Sequence, residues 1–245
     1  MATYKEHRFA GFGLAAAIGL GICANAHATT IVAIWTPDKI VIAGDSLLLM
    51  NWTGANGLPQ QRTSKECKIR KFGSNYVSAA GNYHIQTAGF DVWASAAHAC
   101  GASIGVDQCA ERFRGELRTK LAPVVGVHDV YLSVLVAGLQ NGEPVLHHMT
   151  VIGAPDGHLS IQSESFRRGR QKWGRVILGE RDAIDQFERG AASTMTDSLQ
   201  EALALVRVEA RALPREVAAP FSTLVIEPGG EHWVNGGCCP ASCPK

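Results

Sequence analysis

Two short runs near the start of the chain limit its fold more than any other feature. Residues 31–34 (Ile-Val-Ala-Ile) and 40–43 (Ile-Val-Ile-Ala) contain no polar side chain, and Pro37-Asp38, a good turn pair, lies between them. Runs this short, apolar and β-branched read as a hairpin of two strands buried on both faces. A sheet built on such strands needs apolar cover on each side, so the rest of the chain must supply it.

The remaining pattern supplies both strands and helices. Residues 68–72 alternate, and Gly73-Ser74-Asn75 turns them back into 76–80 as a second hairpin. From Gly81 onward Ile85, Ala88, Val92, Trp93, Ala96 and Cys100 recur at helical spacing. Gly101 and Gly105 interrupt, and Asp107 reads as the N-cap of a second helix lined by Ala110, Phe113, Leu117 and Leu121. Residues 130–139 and 144–152 form a third hairpin, and 159–163 and 175–178 add further strand. Thr196 is the expected cap of a third helix, and 221–226 with 232–235 close the domain over Pro228-Gly229-Gly230. Residues 47–66, with Gly54, Gly57 and Pro59, read as a long surface loop. The order is strands, two helices, strands, helix, strands. That predicts an α+β fold in which two stacked sheets are covered by helices, a four-layer αββα sandwich, with a two-layer α+β domain as the competitor.

The first 28 residues have a different character. Lys5 and Arg8 precede an uncharged Ala- and Gly-rich run, and the segment ends in Ala26-His27-Ala28. A basic start, a short apolar middle and a small-x-small end describe a secretory signal peptide; a self-removed propeptide is the alternative. The run is too short for a membrane span. The expected organisation is a leader at 1–28, one domain at 29–235 and a Cys-rich tail at 236–245. Removing the leader takes Lys5, Arg8 and Glu6, so 23 basic and 22 acidic residues become 21 of each. A neutral chain lacks the basic surplus that a nucleic-acid or anionic-membrane partner requires. Cys67, Cys100, Cys109, Cys238, Cys239 and Cys243 remain, an even count suited to disulfides outside the cytoplasm. Cys100 and Cys109 are close enough in sequence to bridge two helix ends. No cofactor is expected: the 238–243 cysteines lack a histidine and paired C-x-x-C spacing, which a metal-binding tail would need.

A cut after Ala28 would free the α-amine of Thr29. A threonine carrying its own amine can act as an enzyme nucleophile, because the amine can accept the hydroxyl proton. Its reference pKa of about 7.7–8.0 leaves an appreciable neutral fraction near pH 7. A nearby ammonium would lower that value further, and a buried lysine needs a carboxylate to stay charged.

The residues around Thr29 resemble those of a known family. Thr29-Thr30-Ile31-Val32, Val41-Ile42-Ala43-Gly44-Asp45-Ser46, and Lys68-Ile69-Arg70-Lys71-Phe72 leading to Ala79-Ala80-Gly81 are similar to a proteasome β-type subunit, and above all to bacterial proteasome-like peptidases. These are N-terminal nucleophile hydrolases of αββα fold. The resemblance implies Thr29 as nucleophile, Asp45 as acidic partner and Lys68 as catalytic lysine, with Lys65 as the alternative if the preceding loop shifts the alignment. It also implies that the backbone N–H of Gly81 meets the developing oxyanion. Relatives usually carry a serine in a Gly-Ser-Gly-like turn and an aspartate near a later Gly-Gly-Pro. The corresponding stretches here are Ile177-Leu178-Gly179-Glu180 and Arg215-Glu216-Val217-Ala218-Ala219-Pro220, with neither residue.

The expected function is therefore hydrolysis of a peptide or amide bond through an acyl-enzyme on Thr29. A small-molecule amidase or acylase of the same fold, and a non-catalytic secreted protein, are the alternatives. The expected compartment is periplasmic or extracellular, or cytoplasmic if 1–28 is an autoprocessed propeptide. The resemblance leaves room for a homo-oligomeric ring, for which the sequence shows no assignable seam, whereas an ATP-driven unfoldase has no fuel outside the cytoplasm. His147-His148 lies in a strand, so its side chains should face opposite ways and cannot chelate one metal. His98 is read as packing, and the basic run at 167–172 as a solvated turn.

Overall fold

A computed structural model of the chain describes residues 29–53, 59–82, 84–85, 89–127, 129–190 and 197–235. The leader at 1–28, the Ala26-His27-Ala28 cut site, the Cys-rich tail at 236–245 and the expected cap Thr196 lie outside the described residues.

Thr36 closes the first hairpin: its N–H and its hydroxyl both donate to Lys39 O, at 2.8 and 3.1 Å. That turn joins β1 (Thr30–Trp35) to β2 (Ile40–Gly44), paired antiparallel with Ile31 opposite Gly44. Next comes a ribbon of β3 (Leu47–Thr53) and β4 (Pro59–Lys65), which pair only with each other. This corrects the expected surface loop. β3 and β4 pair with each other across a hairpin, and residues 47–66 lack the alternating apolar pattern that marks a strand in a larger sheet.

β5 (Ile69–Phe72) and β6 (Asn75–Gly81) follow, with Gly73 in the left-handed region at the turn (φ 59°). The chain then makes a minimal pair, β7 (His84–Ile85) and β8 (Phe90–Asp91), before α1 (Val92–Cys100). The helix therefore starts later than the spacing from Ile85 predicts. Asp91 sets the start, its carboxylate accepting from Ala94 N at 2.8 Å. In α2 (Val106–Leu121) the cap position is Gly105, not Asp107. Asp107 stands in the first turn and accepts from His147 and Arg167 instead.

β9 (Val130–Gln140) and β10 (Glu143–Gly153) form the longest hairpin, turning at Asn141 and Gly142, both at positive φ. β11 (Leu159–Phe166) and β12 (Gly174–Gly179) then precede α3 (Asp182–Gly190), a helix absent from the sequence reading. Its N-terminus is capped from a distance. Buried Glu209, on α4 (Ser198–Ala212), accepts from Ala183 N and Ile184 N, both at 3.1 Å. β13 (Ser222–Glu227) and β14 (Gly230–Trp233) complete the order.

The strands form two five-stranded sheets, β12-β1-β2-β13-β14 and β11-β10-β9-β6-β5, a mixed α+β arrangement with antiparallel pairing. Alternation along each strand divides the buried side chains among three cores. Ile31, Ala33, Ile42, Leu135, Ala137 and Leu146 share one cluster made of residues from both sheets. Val77, Val134 and Val136 pack with Phe113 and Leu117 of α2. Val32, Ile34 and Val41 pack with Ile184, Ala202 and Val206 of α3 and α4. Both faces of the β1–β2 hairpin are thereby buried, as its composition requires.

A disulfide joins Cys100, ending α1, to Cys109 in α2, nine residues apart in sequence, while Cys67 is buried with its thiol donating to Ile69 O at 3.0 Å. From the length of the closed loop, the bridge should contribute about 2.5 kcal/mol. Urea denaturation of the Cys100→Ala/Cys109→Ala protein should show a loss of that order. An unchanged midpoint would mean that the bridge does not form.

Candidate active site

Three buried polar side chains converge where the two sheets meet at the start of β1. Thr29, one residue before β1, is 2% exposed; Asp45, one residue after β2, is 1%; Lys68, one residue before β5, is 3%. The β1–β2 register brings Asp45 beside Thr30, whose carbonyl accepts from Asp45 N at 3.2 Å. Alternation from Ile31 and Ala33 directs the Thr29 side chain between the sheets, toward the strand that carries Lys68.

Lys68 Nζ donates to Thr29 Oγ1 at 2.6 Å and lies 3.2 and 3.1 Å from Asp45 Oδ1 and Oδ2. Asp45 also accepts from Thr30 N and Leu47 N, each at 2.9 Å, one on each oxygen. Burial pushes the Asp45 carboxyl above its ordinary value of 3.8, against the pull of Lys68 and the two backbone donors. The sign matters for stability. A raised carboxyl pKa means that protonation in acid does not itself destabilise the fold; what protonation removes is the countercharge of Lys68.

The segment before Lys68 is braced. Ser46 N donates to Ala218 O at 3.4 Å, and Glu66 N to Ser46 O at 2.8 Å. Glu66 pairs with Arg70 and accepts from Trp93 Nε1 at 3.1 Å, while the Arg70 guanidinium stacks 4.3 Å over the Trp93 ring. Lys65, the alternative lysine, ends β4 opposite Leu47 and is exposed. Lys68, not Lys65, contacts Thr29.

Gly81 ends β6 with φ at 100°, and a Cβ there would lie 2.3 Å from Tyr131 O, so only glycine fits. The next residue, Asn82, bonds Tyr131 twice: Asn82 N to Tyr131 O at 2.7 Å, and Tyr131 N to Asn82 Oδ1 at 2.8 Å. Gly81 is thus fixed at the end of β6, the strand that pairs with the β5 that Lys68 precedes. Its neighbour Ala80 faces Gly179 across the sheets, where a Cβ on Gly179 would come within 3.4 Å of Ala80 Cβ.

Gly179 is the site residue that sequence reasoning passed over. It adopts φ 79°, and a Cβ there would sit 1.8 Å from Thr29 O. This lets Glu180 N donate to Thr29 O at 2.7 Å while Thr30 Oγ1 donates to Glu180 O at 2.9 Å. The stretch 177–180, which lacks the expected serine, therefore holds the backbone of Thr29 and Thr30. A glycine ending an apolar strand was the available signal.

His147 and His148 do face opposite ways, His147 to Asp107 Oδ1 at 2.7 Å and His148 to Ser133 Oγ at 2.9 Å. His98 is exposed and pairs with Glu116 rather than packing in a core. Among the described residues no group of three or more His, Cys, Asp or Glu side chains is arranged to hold a metal ion, and no helix is long and apolar enough to cross a membrane.

No family model matches the chain, and no curated protein matches it. Solved structures do. Anbu, described as an ancestral beta-subunit, from Yersinia bercovieri aligns over 85% of this chain and 87% of its own, at 15% identity and a TM-score of 0.54. The helical assembly of the Anbu complex from Pseudomonas aeruginosa gives the same coverages at 18% identity and 0.52. The Gly-1 mutant of Anbu from Hyphomicrobium sp. strain MC1 does so at 13% and 0.51. The chain has the fold of the Anbu proteins. This corrects the resemblance to a proteasome β-type subunit or bacterial proteasome-like peptidase. The structures it matches belong to the distinct Anbu family, whose fold is related to the proteasome-like one. Short stretches such as Thr29–Val32 and Gly44–Ser46 fix local geometry that related folds share, so they do not separate the families.

Gly179→Ala should be costly out of proportion to one methyl group. It combines a left-handed backbone with a clash against Thr29 O, and a loss above about 2 kcal/mol is expected, well beyond an ordinary glycine substitution. Chemical denaturation measures it. A cost under 1 kcal/mol, about that of an unstrained exchange, would mean that the Thr29 clamp yields easily.

Proposed function

We propose that the chain is a threonine-type hydrolase of peptide or amide bonds whose nucleophile is the hydroxyl of Thr29, freed at its N-terminus by a cut after Ala28. The observation that carries the reading is the 2.6 Å contact of Lys68 Nζ with Thr29 Oγ1, with Asp45 behind the lysine. A charged lysine that donates to this oxygen is not its base. It stabilises the oxygen as it becomes an alkoxide, and the proton must go elsewhere. The α-amine of Thr29, once free, is the nearest candidate by covalent structure. The hydroxyl proton passes to the amine, Oγ1 attacks the carbonyl carbon, and the Gly81 N–H supports the resulting oxyanion. The leaving amine takes the proton back, and water then hydrolyses the ester on Thr29.

Three apolar cores stacked helix–sheet, sheet–sheet and sheet–helix support a four-layer αββα sandwich spanning 29–235. The leader and the Cys100–Cys109 bridge support a periplasmic or extracellular protein, with the tail from 236 outside the catalytic domain. An ATP-driven partner then has no fuel, so the substrates are short peptides, unfolded segments or small amides. The helical assembly described for the Pseudomonas aeruginosa Anbu protein supports self-association here too.

Thr29→Ala should abolish turnover of short fluorogenic peptides with the thermal midpoint preserved. Lys68→Ala should lower kcat by about 100-fold or more, as loss of a transition-state electrostatic partner does. Full activity of either variant would contradict the mechanism. The acid limb of kcat/KM adds a separate test. Protonation of the amine gives a slope of one. Asp45, whose carboxyl is raised above its ordinary 3.8 by burial, should add a second proton and steepen the limb to two before pH falls to that value. A slope that stays at one throughout the acid limb would contradict a raised Asp45 carboxyl whose ionised form activity requires.

A further inference from the structure

The core between the two sheets is apolar until it nears Thr29, and there it changes character. On β9 and β10, Leu135, Ala137 and Leu146 belong to that core. Continuing the same face by alternation gives Ser133 and Tyr131 on β9, and His148, Thr150 and Ile152 on β10. Ser133 is 3% exposed and its Oγ lies 2.9 Å from His148 Nε2, with Thr150 Oγ1 at 3.4 Å from the same nitrogen. Polar groups in a sheet–sheet core are unfavourable unless something requires them. Apolar side chains at these positions would extend the core without that cost.

The group lies beside the nucleophile's end of the sandwich. Ser133 is directly opposite Ala80 in the β6–β9 ladder, and Ala80 is the residue facing Gly179, which holds Thr29 O. Leu132 is opposite Gly81. Beyond Ser133 the face opens: Tyr131 and Ile152, paired with each other, are 43% and 42% exposed. Two large, partly exposed side chains thus border a more deeply buried hydrogen-bonding group, a pairing that suits contact with a side chain of apolar stem and polar end.

We propose that Ser133, His148 and Thr150 form the floor of a substrate subsite that recognises an uncharged hydrogen-bonding side chain, such as a carboxamide, next to the scissile bond. This rests on the Thr29 reading for the identity of the site. Burial lowers the pKa of the His148 imidazole, so it is neutral at physiological pH and offers one donor and one acceptor rather than a charge. Glu164, directly opposite His148 on β11 and exposed, makes the same face unfavourable for a carboxylate. A carboxamide matches both properties, since it donates and accepts without charge.

The test compares mature protein and its His148→Leu and His148→Gln variants on alanine-based peptides that carry Gln, Leu or Glu on either side of the scissile bond. Wild type should prefer Gln over Leu, and reject Glu. His148→Leu should reduce the Gln-to-Leu ratio of kcat/KM about tenfold, the effect of losing a hydrogen bond that leaves its partner unpaired. His148→Gln should restore part of the ratio. A merely structural role would move both substrates together with the thermal midpoint and leave the ratio unchanged, which overturns the proposal. A second readout separates this from failure of the Thr29 mechanism. Acetyl-glutamine amide added to the Thr29→Ala protein should shift the His148 ring proton resonances, and acetyl-leucine amide should not. Such a shift without any wild-type turnover would leave the subsite standing and the nucleophile wrong. Equal shifts with both amides, or none with either, would contradict the subsite.

Discussion

A buried ammonium is the constraint on which the site depends. Lys68 is 3% exposed, and a lone lysine in that position would shed its proton rather than remain charged. Asp45 holds it ionised, and Asp45 in turn depends on N–H groups of Thr30 and Leu47 that the ends of β1, β2 and β3 deliver. Three separate chain segments are therefore fixed by one charge pair. Removing either partner leaves an unpaired charge in the interior, at a cost of about 3–5 kcal/mol. The pair's position beside Thr29 Oγ1 turns this structural demand into a chemical one. The same ammonium that needs a carboxylate can stabilise an alkoxide.

The backbone holds the other side of Thr29. Gly179 admits the Thr29 carbonyl only because it lacks a side chain, and the Thr29–Glu180 and Thr30–Glu180 bonds pin the start of β1 from the β12 edge. The hydroxyl is thus positioned by sheet geometry, independently of the lysine. Buried groups on three neighbouring strands, β1, β2 and β12, act on two consecutive residues. Such preorganisation is what electrostatic stabilisation of a developing charge requires.

Much of this was legible in the sequence, for identifiable reasons. The β1–β2 hairpin could be read because its two apolar runs fit no exposed element, and its short turn fixes Asp45 next to Thr30. Lys68, with Lys65 as the alternative, and Gly81 were named only through the resemblance, which places a lysine at the start of the second hairpin and a glycine at its end. What could not be read depends on contacts distant in sequence. The start of α3 is capped by Glu209, 25 residues beyond Ile184, so no local signal marks it. The β3–β4 ribbon pairs only with itself and leaves no amphipathic trace. Helix α1 starts at the Asp91 cap, although Ile85 and Ala88 fit its spacing. The polar trio of Ser133, His148 and Thr150 was invisible because its members are 15 or more residues apart across a hairpin or hidden by alternation. The likeness to proteasome β-type subunits rested on local stretches, while the match to the Anbu fold spans 85% of the chain.

The central claim is that Thr29 supplies both nucleophile and base, and this requires a free α-amine. Mass-spectrometric mapping of the N-terminus of protein purified from its native compartment tests it most directly. The account predicts an N-terminal peptide beginning at Thr29 with an unblocked amine. A mature chain that begins at any other residue would keep the Thr29 nitrogen in an amide or remove the residue, and would contradict it.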